Sequence, residues 1–174
     1  MKAQCAAPET PRPAGRWIAK PGCGRGLVMA IDLALNGVPV VLLDENDRVS
    51  TGSRAICFAK RTLEILDRLH CGEAMVDKGV QWHGGRVFFD RRQVYAFDLL
   101  PEGGHRRPAF INLQQYHFEA FLVEHIRALQ AEGRPIDLRG ANRVFAIDAR
   151  DDHVSVTIDT PDGPYRIEAD WLIA

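Results

Sequence analysis

The strongest constraint in the sequence lies between Gly26 and Asp44. Leu27, Val28, Ala30, Ile31, Leu33, Ala34 and Leu35 recur so densely that a helix here is apolar nearly all round, and Asn36-Gly37 supplies its C-terminal stop. Val38 to Leu43 follows as an unbroken β-branched and leucine run, the pattern of a strand covered on both faces. A helix that feeds such a strand restricts the chain to α/β architecture.

Gly22, Gly24 and Gly26 precede the helix, and Asp44 ends the strand. This is the order of a dinucleotide-binding βαβ unit. There, glycines allow a tight turn and close approach of backbone to pyrophosphate, and the helix N-terminus favours the negative charge. An acid at the end of the second strand accepts hydrogen bonds from ribose hydroxyls. The spacing departs from G-x-G-x-x-G: counted from Gly22 the third glycine falls on Leu27, and counted from Gly24 it falls on Met29. Read backwards from the helix, Gly26 is the natural third glycine, with Pro21 and Cys23 in the first two places. A flexible loop at a helix start explains the glycines equally well, and a solvated strand-end carboxylate explains Asp44. Trp17 to Ala19 is the one apolar stretch ahead of the glycines and is too short for a buried central strand.

Beyond Asp44, a helix is expected over Lys60 to Leu69, stopped near Cys71-Gly72, and another over Gln115 to Ala131. Arg86 to Phe89 and Val94 to Leu99 read as a β-hairpin, which interrupts the α/β alternation. Ile136 to Leu138 is a short strand. Arg143 to Arg150, Val154 to Thr160 and Tyr165 to Ala169 read as an antiparallel meander with turns at Asp151-Asp152 and Pro161 to Pro164. "DWLIA", Asp170 to Ala174, begins one more buried strand, and the chain is expected to be incomplete.

With 174 residues, one hydrophobic core is expected. A charged fraction of 26% and a net charge of −1 lack the basic excess of a nucleic-acid-binding chain, so no nucleic acid is expected as a partner. No apolar run reaches 18 residues and no apolar stretch opens the chain, so no membrane partner, no secretory signal and a cytoplasmic location are expected. Cys5, Cys23, Cys57 and Cys71 are scattered without C-x-x-C spacing, which indicates plain thiols and neither a zinc site nor a disulfide framework. His117 and His125 read as structural, with no metal site expected. Arg106-Arg107 reads as part of a solvated loop.

Several separated segments, "GLVMAIDLALNGVPVVLLDENDRVSTGSRAICFAKRTLEIL", "PAFINLQQYHFEAFLVEHI" and "DGPYRIEADWLIA", together resemble in order the N-terminal part of the FAD-dependent aromatic-ring hydroxylases. These are single-component flavoprotein monooxygenases of the phenol and hydroxyphenylpropionate hydroxylase type. The resemblance implies a Rossmann-like FAD-binding βαβ unit with an inserted β-hairpin and an antiparallel β-meander, incomplete, over residues 26–174, preceded by a flexible or aberrant leader over 1–25. It implies FAD as cofactor, held by Gly26 at the helix start, Asp44 at the adenosine ribose, Arg54 at the pyrophosphate and Gln115 near the ribityl chain, with Gln114 as the fallback. A complete relative takes electrons from NADPH or NADH and hydroxylates an aromatic small molecule.

Two departures accompany the resemblance. "PAGRWIAKPGCGRG" stands where the family has a buried apolar strand running into G-x-G-x-x-G, and the Cys-Asp-Gly and Gly-Asp motifs of the family's later flavin site are missing. The expectation is therefore the adenosine and pyrophosphate half of a flavin site, inactive by itself. A NAD(P)-dependent dehydrogenase domain, which shares helix, strand and acid, and a non-catalytic nucleotide-binding module are the alternatives.

Overall fold

The computed structural model describes residues 17–19, 24–48 and 55–173. The chain divides into two compact units, Met1–Val49 with Leu122–Ala174, and Ser50–Phe121.

The first unit is built on a four-stranded parallel sheet. Its strands are β1 (Trp17–Ala19), β2 (Val40–Leu43), β8 (Ile136–Arg139) and β12 (Trp171–Ile173), arranged β12-β1-β2-β8. The register is continuous: Ile18 lies opposite both Leu172 and Val41, and Val41 lies opposite Asp137. Helix α1 (Gly24–Leu35) packs against β2 and β8 and buries Leu27, Ala30, Ile31 and Ala34. It ends where Gly37 turns into the left-handed region at φ 76°, with the Val38 N–H donating to the Leu33 carbonyl at 2.9 Å, a stop that glycine accepts without strain.

All four residues of β2 are buried. Strand alternation sends Val41 and Leu43 to one face and Val40 and Leu42 to the other. Val41 and Leu43 meet Val154, Val156, Ile158, Ile167 and Ala169 of an antiparallel meander, β9 (Arg143–Ala149), β10 (Val154–Asp159) and β11 (Tyr165–Ala169), with β10 in the middle. The apolar run of β2 thus has partners on both faces, as its composition requires.

The second unit holds a three-stranded antiparallel sheet in the order β3-β7-β4, made of β3 (Cys57–Ala59), β4 (Val80–Trp82) and β7 (Phe110–Asn112). Helices α2 (Lys60–Arg68) and α3 (Gly72–Lys78) pack on each other. A separate hairpin, β5 (Gly84–Phe89) and β6 (Arg92–Asp98), turns through Asp90 at φ 53°. Helix α4 (Gln115–Ala131) has the bounds its periodicity predicts, and the division between the units falls within it.

Three features differ from the sequence expectations. Trp17 to Ala19, expected to be too short for a central strand, is an inner strand of the parallel sheet, because β2 and β12 supply hydrogen-bonding partners on both of its edges. This strand lies inside the stretch read as leader; residues 1–16 and 20–23 of that stretch lie outside the described residues. The expected stop near Cys71-Gly72 is real but short, since α3 starts at Gly72.

Candidate functional site

Gly26, in α1, and Asp44, directly after β2, both belong to the first unit, in which α1 and β2 pack together. Helix α1 begins at Gly24, two residues earlier than expected, so Gly26 lies inside the first turn and not at the start. The first N–H groups of any helix have no partner within that helix, which makes this turn a source of anion donors.

Asp44 is the first residue after β2 and is half-buried. Its backbone is fixed on both sides: the N–H donates to the Arg139 carbonyl at 2.9 Å, and its carbonyl accepts from the Asn142 N–H at 2.6 Å. Its carboxylate closes a local turn, with Oδ1 accepting from the Asn46 N–H at 2.9 Å and from Asn46 Nδ2 at 3.3 Å. Oδ2 accepts no hydrogen bond among the described residues, so acceptor capacity remains for an incoming hydroxyl.

The turn after β8 supports this geometry. The Ala141 N–H donates to the Asn46 carbonyl at 3.1 Å. Gly140 lies so close that a Cβ there would stand 3.0 Å from the Asn46 carbonyl oxygen and 3.0 Å from the Asp47 Cα. A side chain at this position would crowd two backbone atoms of the Asp44 turn, which must shift by a few tenths of an ångström to admit it. Sequence reasoning singled out none of Gly140, Ala141 and Asn142, because their value comes from β2–β8 pairing and not from any local pattern.

Gln115 is the first residue of α4, within the second unit. Its Nε2 donates to Glu119 Oε1 at 2.7 Å, one helical turn on. Glu119 is only 9% exposed. Behind it, Phe118 stacks on Phe58 with ring centroids 4.4 Å apart. Gln114, the fallback, is exposed. Arg54 lies outside the described residues.

Arg107 departs from its expected place in a solvated loop. It is 5% exposed and sits between two acids of the helical corner. Its Nε donates to Asp67 Oδ2 at 2.7 Å, its Nη2 to Asp67 Oδ1, and Nη2 again to Glu73 Oε2 at 2.5 Å. The Arg107 guanidinium holds the Asp67 carboxyl below the usual carboxylate range, against the opposing effect of burial. Arg106 is 77% exposed and reaches Asp67 only at 3.7 Å. A sequence shows adjacent arginines; only the fold shows that one of them is buried.

Para-nitrophenol 4-monooxygenase of Pseudomonas sp. (strain WBC-3) is 26% identical over 155 residues, which is 86% of this chain and 36% of that protein. The 12-dehydrotetracycline 5-monooxygenase/anhydrotetracycline 6-monooxygenase of Streptomyces rimosus is 28% identical over 148 residues, covering 85% of this chain and 28% of that protein. Among solved structures, p-nitrophenol 4-monooxygenase PnpA from Pseudomonas putida DLL-E4 superimposes with a TM-score of 0.80 at 25% identity, over 91% of this chain and 40% of that one. The chain thus spans about a third of the length of the curated relatives it matches. The family model described as FAD binding domain matches residues 22–174, and the chain belongs to that family of FAD-binding domains, the one found in flavin-dependent aromatic monooxygenases.

Proposed function

We propose that this chain forms the adenosine and pyrophosphate half of the FAD site of a monooxygenase that hydroxylates an aromatic small molecule. The observation that carries the reading is Asp44. It ends a buried parallel strand directly after the α1 crossover, its backbone is held on both sides, and one carboxylate oxygen stays open to a ribose hydroxyl. The parallel order β12-β1-β2-β8 supports a Rossmann-like unit, because the chain leaves β1 first to one side and later to the other, and ligands of such sheets bind outside the carboxyl ends at that reversal.

Gly26, in the first turn of α1, lets backbone N–H groups approach the pyrophosphate without an intervening side chain. Arg54 is assigned to the same pyrophosphate, for which a guanidinium is a forked and permanently charged partner. Gln115 is assigned to the ribityl chain. With its amide nitrogen committed to Glu119, its amide orientation is fixed by a neighbouring carboxylate. Bound FAD would supply the redox chemistry with oxygen, and NADPH or NADH the electrons. The FAD-binding part runs over residues 26–174, with β1 joining it from within the preceding stretch. A cytoplasmic location fits, and no helix among the described residues is long and apolar enough to cross a membrane. The β5–β6 hairpin and the meander set the chain apart from the continued βα alternation of a nicotinamide-dependent dehydrogenase.

The test is a titration with FAD followed by desalting and measurement of retained flavin. Retention in the parent chain, lost in Asp44→Ala, supports the assignment. Equal retention in both removes Asp44 from the site.

A further inference from the structure

The Asp44 turn is held by a chain of hydrogen bonds that runs through a single hydroxyl. Asn142 donates its backbone N–H to the Asp44 carbonyl at 2.6 Å and its Nδ2 to the Gly140 carbonyl at 2.6 Å, so it links the turn after β8 to the turn after β2. The Asn142 Oδ1 accepts the Tyr165 hydroxyl proton at 2.5 Å. The Tyr165 oxygen in turn accepts from Arg139 Nη1 at 2.9 Å, and the Arg139 guanidinium lies 5.6 Å from the Tyr165 ring centroid. Arg139 is itself clamped by Asp137 Oδ2, at 2.9 Å from Nε and 2.7 Å from Nη2. Asp137 and Arg139 belong to β8, Tyr165 opens β11, and Asp44 follows β2, so one hydroxyl ties together three separate strands.

We propose that Tyr165, acting through Asn142, is a positioning residue for Asp44, setting the orientation in which its carboxylate meets the ribose. The proposal rests on the assignment of Asp44 to the ribose. Tyr165 also packs its ring on the core cluster of β2 and the meander, which by itself would be a structural role. The hydroxyl separates the two roles, since Tyr165→Phe keeps the ring and removes one donor and one acceptor. Losing that oxygen leaves Asn142 Oδ1 and Arg139 Nη1 without this partner, so Asn142, whose N–H holds the Asp44 carbonyl, loses the side-chain anchor that fixes its position.

The experiment is a double-mutant cycle on the full chain, with Tyr165→Phe and Asp44→Asn, titrated with ADP by NMR shift perturbation, which reads millimolar affinities. Asp44→Asn is expected to weaken ADP tenfold or more, and Tyr165→Phe about five- to tenfold. In the Asp44→Asn background, Tyr165→Phe should change affinity less than about twofold, because the group it positions is gone. Its effect should also vanish for 2′,3′-dideoxy-ADP, which lacks the hydroxyls. A merely structural Tyr165 would weaken binding equally in both backgrounds and for both nucleotides, and that result overturns the proposal. If Asp44→Asn leaves ADP affinity unchanged, or ADP does not bind, the ribose assignment itself falls. Amide exchange in the ligand-free chain then decides the positioning: exchange at Asp44 and Asn142 accelerated in Tyr165→Phe, with Val156 and Ile167 unchanged, supports it, and uniform exchange refutes it.

Discussion

Replacing Arg107 by Met should destabilise the second unit by about 3 kcal/mol. Arg107 is 5% exposed, and the side chain of its main partner Asp67 is 16% exposed, so removing the guanidinium strands a largely buried carboxylate. Breaking a buried pair from one side costs about 3 to 5 kcal/mol. Glu73 is 70% exposed, so its arm of the cluster adds at most about 1 kcal/mol. Arg106, 3.7 Å from Asp67, remains as a partial counter-charge and places the expected loss at the lower end. With a urea slope of about 1 to 3 kcal/mol per molar, the midpoint should fall by about 1 to 3 M at pH 7. Trp82 fluorescence reports the transition, since this indole stacks on Phe110 at 4.8 Å and donates to Asn112 Oδ1 at 3.0 Å within the same unit. The pH dependence has a definite sign. The folded pKa of Asp67 is lowered, by Arg107 first of all, so the pair's contribution is complete above the unfolded carboxylate value of about 4 and is lost as pH falls through the folded value. Below pH 4 the parent chain should therefore lose stability more steeply than Arg107→Met. Arg107→Met combined with Asp67→Asn should recover much of the loss, because no stranded charge remains. A midpoint shift below about 0.3 M, or acid curves that run parallel, would refute the reasoning.

Gly140→Ala should cost about 1 to 3 kcal/mol and weaken FAD, because its Cβ would press on the Asn46 carbonyl and the Asp47 Cα, both backbone atoms; urea midpoints and flavin fluorescence check it together. Asp44→Ala should raise the Kd for FAD by about 10- to 100-fold, the range for a lost hydrogen bond to a charged group, with little effect on FMN, which lacks the adenosine. Glu119→Ala should show the reverse selectivity, weakening FAD several-fold and leaving ADP unchanged, since it removes only the partner of Gln115. Between the two thiols of the described residues, Cys57 is exposed, whereas burial, followed by the nearby Asp67 charge, pushes the Cys71 thiol up to about 11. A disulfide reagent at pH 8 should therefore label Cys57 in the native chain and reach Cys71 only after unfolding.

The sequence by itself determined α1, β2, α4 and the meander. In each, the apolar residues recur with the period of one element over enough residues to need no outside information, as in the Gln115–Ala131 helix and the fully buried Val40–Leu43 strand. The same reading put Asp44 directly after β2 and Gln115 at the start of α4, whereas Gly26, expected at the start of α1, lies inside its first turn. What only the tertiary structure decided is everything held in place by a partner distant in the chain. Three residues, Trp17 to Ala19, make an inner strand because β2 and β12 flank them, and β3, β4 and β7 are equally short and exist through one another. The same holds for chemistry. Arg107 is buried because Asp67 and Glu73 meet it across a helical corner, and Asp44 is held by Asn142 because β8 pairs with β2. Periodicity is a local property of the chain, whereas the burial of a charge and the aim of a carboxylate depend on which distant residues fold beside them.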